Sequence, residues 1–104
     1  MVIYPGAFNM STGPLHWELL LRARAVDNQL FTAGIAPAQV KSAGYTSYGH
    51  TMLVSPWGKI VASAEFNEEV LIADVDLNEV EEMRGQIPTS LQRRDDLYQV
   101  IEKK

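Results

Sequence analysis

Two side chains in this sequence are placed to hold a small molecule, Phe8 and Thr12, on either side of the run Asn9-Met10-Ser11. Phe8 follows an apolar run closed by Pro5-Gly6, and a proline-glycine turn can aim an aromatic ring into a cleft. Thr12 stands just before the helix-start signal Gly13-Pro14, where a hydroxyl can reach an anion. Each has a plain structural alternative, since a Thr in that position is ordinarily a helix cap and a single Phe ordinarily belongs to a core. Reactive groups are scarcer. The chain has no cysteine, which excludes a thiol nucleophile, a thiolate metal site and a disulfide from its 104 residues. His16 and His50 have no further His or Cys at ligand spacing, so no metal and no cofactor are expected. Glu81 and Glu82 read as a solvated helix face. Glu18 lies four before Arg22 and Asp27 three after Arg24, spacings that predict structural ion pairs.

These residues need elements to position them. Val2-Ile3-Tyr4 is β-prone and stops at Pro5-Gly6, so the chain is expected to begin inside a buried strand. Pro14 suits the first turn of a helix predicted over 14–28, on which Trp17, Leu20, Leu21 and Ala25 recur at helical spacing, widened by Leu15, Leu19 and Val26. A second strand is expected over 30–36 and ends at Pro37, followed by a loop over 38–44. Residues 50–54 and 59–64 read as strands joined in a hairpin by Ser55-Pro56-Trp57-Gly58, with Trp57 expected to plug the turn. A fifth strand is predicted over 70–75, then a short helix capped by Asp76 or Asn78, running to about Gln86 and stopped by Pro88. Residues 87–104 read as an extended tail with a few anchoring apolar side chains. This order of elements predicts an α/β protein with a layered sheet.

With 46% hydrophobic residues the chain can bury a core as one unit. A net charge of -4 argues against a nucleic-acid or anionic-membrane partner, because both require clustered Lys and Arg. No apolar stretch approaches the roughly 18 residues of a membrane span, and the N-terminus lacks a signal-peptide pattern. A cytoplasmic location is expected, with the mitochondrion as the alternative.

Taken together, Tyr4-Pro5-Gly6-Ala7-Phe8-Asn9, Thr12-Gly13, His16-Trp17-Glu18-Leu19-Leu20, Arg22-Ala23-Arg24-Ala25 and Asp27-Asn28-Gln29 resemble the nitrilase superfamily of carbon–nitrogen hydrolases, most closely its omega-amidase branch. The similarity continues through Gly49-His50, Ser55-Pro56-Trp57-Gly58, Arg93-Arg94 and Asp96-Leu97-Tyr98, nearly the whole chain in the family's order. The loop 38–48 departs from the pattern in detail, and loops of this kind line clefts.

The resemblance implies an α-β-β-α sandwich in which residues 1–104 are the C-terminal portion of the hydrolase domain. It implies hydrolysis of monoamides of short dicarboxylic acids, such as 2-oxoglutaramate and 2-oxosuccinamate, by a Cys nucleophile, a Lys and a Glu that all lie N-terminal to the matched segment. No residue here takes those catalytic roles. Gly6, Ala7, Phe8 and Thr12 are placed beside the amide substrate, where a carboxylate would gain about 0.3 to 1 kcal/mol from the helix end. Trp17, Leu21 and Arg24 are placed at a dimer seam. The chain is therefore expected to work with a missing N-terminal half or as a homo-oligomer, and to be inactive alone. The alternative is a non-catalytic interaction protein that pairs with intact amidase subunits. A sandwich cut in mid-sheet exposes strand edges and an apolar face, so low solubility in isolation is expected.

Overall fold

The computed structural model describes residues 1–42 and 44–103; Ala43, in the expected loop, and Lys104, in the expected tail, lie outside the described residues. Four strands form one sheet in the order β1 (Val2–Pro5), β2 (Thr32–Ile35), β3 (Met52–Val54) and β4 (Ile60–Ser63). β1 and β2 run parallel, whereas β2, β3 and β4 are successively antiparallel. A parallel pair needs a crossover, and helix α1 (Gly13–Asn28) supplies it.

The pleat sorts the strands into two faces. Thr32 lies opposite Val54 and Gly34 opposite Met52, so these four share a face. α1 covers it with Gly13, Trp17, Leu21 and Ala25, one residue every four. The close fit is visible at Gly34, where an added Cβ would stand 2.4 Å from Leu21 Cδ1 and 2.7 Å from Trp17 Cζ2. Two polar contacts set the helix on the sheet: Trp17 Nε1 donates to the His50 carbonyl at 2.6 Å and Thr32 Oγ1 to the Leu21 carbonyl at 2.9 Å. The opposite face, with Ile3, Ala33, Ile35 and Leu53, is left half open; Ile3 and Ile35 are exposed.

The expected hairpin forms. Ser55 N–H donates to the Lys59 carbonyl and Gly58 N–H to the Ser55 carbonyl, with Gly58 at φ 76°, a conformation glycine adopts without strain. The plug of this turn is Pro56, which is fully buried, while Trp57 is 43% exposed beside Leu19 and Val26 of α1. Proline at that position can bury its whole ring without a polar atom to satisfy; the indole cannot.

No fifth strand forms over 70–75. Leu71, Ala73 and Val75 border a depression with Ala33, Ile35, Leu53 and Ala62 on the open face, and Val70 and Ile72 point to solvent. The segment lies over the sheet rather than along an edge, so its backbone finds no ladder to join. The predicted second helix is present as α2 (Asn78–Gln86), with Asp76 Oδ1 accepting the Asn78 N–H at 3.0 Å and Met83 as its buried residue.

α1 ends on Gln29, a non-glycine residue at φ 51° that buries its side chain. Gln29 Nε2 donates to the Ile87 carbonyl at 2.6 Å and its Oε1 accepts the Thr89 hydroxyl at 3.0 Å, which fastens the end of α2 to the end of α1. Beyond this point the tail leaves the body. Leu91, Leu97, Val100 and Ile101 stay exposed, so the apolar anchors expected in the tail do not seat on this chain. The radius of gyration, 16.7 Å, exceeds the roughly 13 Å of a compact chain of this length for that reason.

Gly34→Ala is expected to destabilise the fold by about 1 to 3 kcal/mol, because both side chains in the way are themselves buried; a lower urea midpoint at unchanged slope is the measurement. In the tail, Arg94 Nη2 and Asp96 Oδ2 pair at 2.6 Å, and this hydrogen bond holds the Asp96 carboxyl below its usual range. The pair is intact at neutral pH and is lost as pH falls through the lowered Asp96 titration. Arg94→Gln is expected to raise that midpoint toward the ordinary aspartate value in a carboxyl-carbon NMR titration.

Candidate functional site

The chain leaves β1 at Pro5 and reaches α1 at Gly13, so residues 6–12 lie at the carboxyl ends of two parallel strands, where open α/β sheets bind ligands. Gly6 N–H donates to the Ile35 carbonyl at 2.9 Å, which extends the parallel ladder one step beyond the strand. Gly6 sits beside the Trp17 ring, and Phe8 meets that ring edge-to-face with centroids 5.1 Å apart. Phe8 is half-buried. It joins the core and also lines a surface groove of about 160 Å³ with Tyr4, Trp17, Leu20, Leu21 and Arg24.

Thr12 does not cap α1 with its side chain. That work falls to Asn9, whose Oδ1 accepts from the N–H of Ser11 at 2.9 Å, the N–H of Thr12 at 2.8 Å and the Thr12 hydroxyl at 3.0 Å. With its proton directed at Asn9, the Thr12 hydroxyl keeps its lone pairs as its remaining hydrogen-bonding capacity. Toward a carboxylate it would have to give up the Asn9 contact.

The turn is buttressed from the far side by residues 45–50. Tyr45 Oη donates to the Ala7 carbonyl at 2.8 Å, Tyr48 N–H donates to the Phe8 carbonyl at 2.8 Å, and Asn9 and Ser47 form a β-bridge. The Tyr48 ring occupies the space a Cβ on Gly13 would need, 2.3 Å away, and stacks on His50 at a centroid distance of 3.9 Å. Gly49 and His50 both have positive φ, 75° and 62°, and an added Cβ on Gly49 would stand 2.9 Å from Phe66 Cα. His50 is thereby held with its carbonyl toward Trp17, which is a structural task.

The structure thus gathers Gly6, Ala7, Phe8 and Thr12 into one turn. Of the residues expected at a dimer seam, Trp17 and Leu21 lie against the chain's own sheet and Arg24 lies at the surface. Trp17 and Leu21 are 3% and 4% exposed because they point inward at Gly34 of their own sheet, and they offer a partner only the floor of the groove. Arg24 is half exposed and lies 3.9 Å from Asp27. The expected pairs are both present, Glu18 and Arg22 being 3.0 Å apart. Among the described residues there is no cluster of three His, Cys, Asp or Glu side chains able to hold a metal.

Asn9, Tyr45 and Tyr48 were missed from sequence. Asn9 had a signal, since an Asn just ahead of Ser-Thr-Gly-Pro is an Asx-turn pattern. The tyrosines had none, for Tyr45 meets Ala7 across 38 positions of chain.

A mixed sheet carrying one parallel pair, crossed by a helix that starts at the carboxyl ends of that pair, makes this an α/β protein. Residues 1–85 match the carbon-nitrogen hydrolase family, and the chain belongs to it. It is 56% identical over 104 residues to omega-amidase NIT2-B of Xenopus laevis and 49% identical over 104 residues to omega-amidase NIT2 of Homo sapiens, covering 100% of this chain and 38% of each relative. A chloroplastic omega-amidase of Arabidopsis thaliana is 52% identical over 102 residues, 98% of this chain and 28% of that protein. Among solved structures, Saccharomyces cerevisiae Nit3, a member of branch 10 of the nitrilase superfamily, superposes with a TM-score of 0.84 at 49% identity, over 88% of this chain and 34% of its own. The chain therefore spans less than two-fifths of the length of the relatives it matches.

Asn9→Ala is expected to cost about 1 to 2 kcal/mol of stability, the usual loss for a helix-start side chain that satisfies backbone donors. Asn9→Asp keeps the acceptor and adds a charge the helix end favours, so its urea midpoint is expected at or above that of the parent chain.

Proposed function

We infer that this chain forms the substrate-facing C-terminal portion of an omega-amidase-like carbon–nitrogen hydrolase acting on monoamides of short dicarboxylic acids, of which 2-oxoglutaramate and 2-oxosuccinamate are the proposed representatives. The observation that carries this reading is the match along the full chain to omega-amidases at up to 56% identity, with residues 6–12 gathered into one turn at the strand ends. In this reading Phe8 and Gly6 form an apolar wall, the Ala7 backbone lines the slot, and Thr12 helps hold the distal carboxylate at the start of α1.

The bond-breaking groups are proposed to come from a polypeptide segment outside these 104 residues, since the chain has no cysteine to act as the nucleophile. Such a segment would attack the amide, release ammonia and let water hydrolyse the thioester, while this chain fixes the orientation of the substrate. The free edge of β1 and the groove floored by Trp17 and Leu21, with Arg24 on its rim, are where the segment would complete sheet and core. Pairing between copies of the assembled subunit, and a cytoplasmic setting with an organelle as the alternative, belong to the same proposal.

An ammonia-release assay with 2-oxoglutaramate tests it. The expected result is no turnover by residues 1–104 alone and turnover when the chain is combined with an omega-amidase N-terminal segment carrying the Cys, Lys and Glu. Turnover by this chain alone, or none in the combination, would sink the reading.

A further inference from the structure

The Ala7–Phe8 peptide plane is pinned from one side only. Its carbonyl accepts the Tyr45 hydroxyl at 2.8 Å, and the planar trans peptide then directs the Phe8 N–H away from Tyr45. The next plane is pinned as well, by Tyr48 N–H on the Phe8 carbonyl at 2.8 Å. Among the described residues the Phe8 N–H, like those of Ala7, Asn9 and Met10, meets no protein acceptor, although the carbonyls of Ala7, Phe8 and Asn9 all have donors; of these amides the Phe8 N–H belongs to the plane that Tyr45 holds. A turn whose carbonyls are tied back and whose amides are left over presents hydrogen-bond donors to whatever oxygen enters beside it.

We propose that Tyr45 is a positioning residue of the amidase site: its hydroxyl fixes the Ala7–Phe8 peptide so that the Phe8 N–H binds an oxygen of the amide substrate while the Phe8 ring walls the slot. This rests on the amidase reading above for the identity of the oxygen, and on the hydrogen bonds alone for the geometry. Tyr45 is suited to the task because its ring is half exposed and packs little of the core, so the hydroxyl can be removed without opening a cavity. The loop that bears it is distant in sequence from the turn it braces. Selectivity for the amide can therefore change through this loop with the turn itself unaltered.

Tyr45→Phe separates the two premises. In the full chain, 15N relaxation is expected to show the Phe8 amide losing order, its order parameter falling from about 0.85 toward 0.6, while core amides of α1 and β3 stay rigid. In the chain combined with the catalytic N-terminal segment, KM for 2-oxoglutaramate is expected to rise about fivefold, the factor one neutral hydrogen bond carries, with kcat changed by less than about twofold. A Phe8 amide of unchanged order overturns the positioning role, whatever the kinetics. A more mobile amide with unchanged KM overturns the substrate contact. If the parent combination has no activity, the amidase reading fails, and the relaxation result still decides whether Tyr45 positions the turn.

Discussion

The Trp17 indole is the contact on which the rest of this structure depends. Its ring fills the space that Gly34 leaves on the sheet, lies beside Gly6, meets Phe8 edge-to-face, and gives its one proton to the His50 carbonyl. Three parts of the chain that are far apart in sequence are thereby set against one side chain. Buried indole is stable only when its N–H is bonded, so the left-handed backbone at Gly49 and His50 follows from the need to bring a carbonyl to that point. The turn over residues 6–12 takes its position from the same ring, because Phe8 rests on it.

That arrangement also explains why core and candidate site overlap. Phe8 packs against Trp17 at the edge of the core and also lines the groove, so both its core and its binding reading fall on the same ring. Thr12 was likewise open to a cap or a ligand role. Asn9 takes over the cap and accepts the Thr12 proton, so Thr12 can donate to a carboxylate only by leaving Asn9. A substitution in the turn thus acts on the core as well, whereas Tyr45 reaches the turn through its hydroxyl with its ring half exposed.

β1 lacks a neighbour on one edge, the face bearing Ile3 and Ile35 is only partly covered by 71–75, and the tail carries Leu91, Val100 and Ile101 into solvent. The sheet face is apolar and contiguous with the body, the β1 edge offers backbone donors and acceptors, and the tail side chains stand away from both. The match to less than two-fifths of the length of the omega-amidases accords with these open surfaces.

Much was legible in the residues alone. The run from Gly13 to Asn28 declared its helix through Pro14 and four-residue apolar spacing, the Pro-Trp-Gly turn declared the hairpin, and the pairs Glu18 with Arg22 and Arg24 with Asp27 were readable as spacings on a helix. These are local rules, and local rules are written in short stretches of sequence. What only the tertiary structure decided was direction: that Trp17 and Leu21 face inward, that Pro56 rather than Trp57 fills the turn, that 70–75 crosses the sheet as an unpaired segment, and that Tyr45 reaches Ala7. Each of those depends on which surface happens to lie opposite, and that surface is built from residues tens of positions away, whose approach no local pattern encodes.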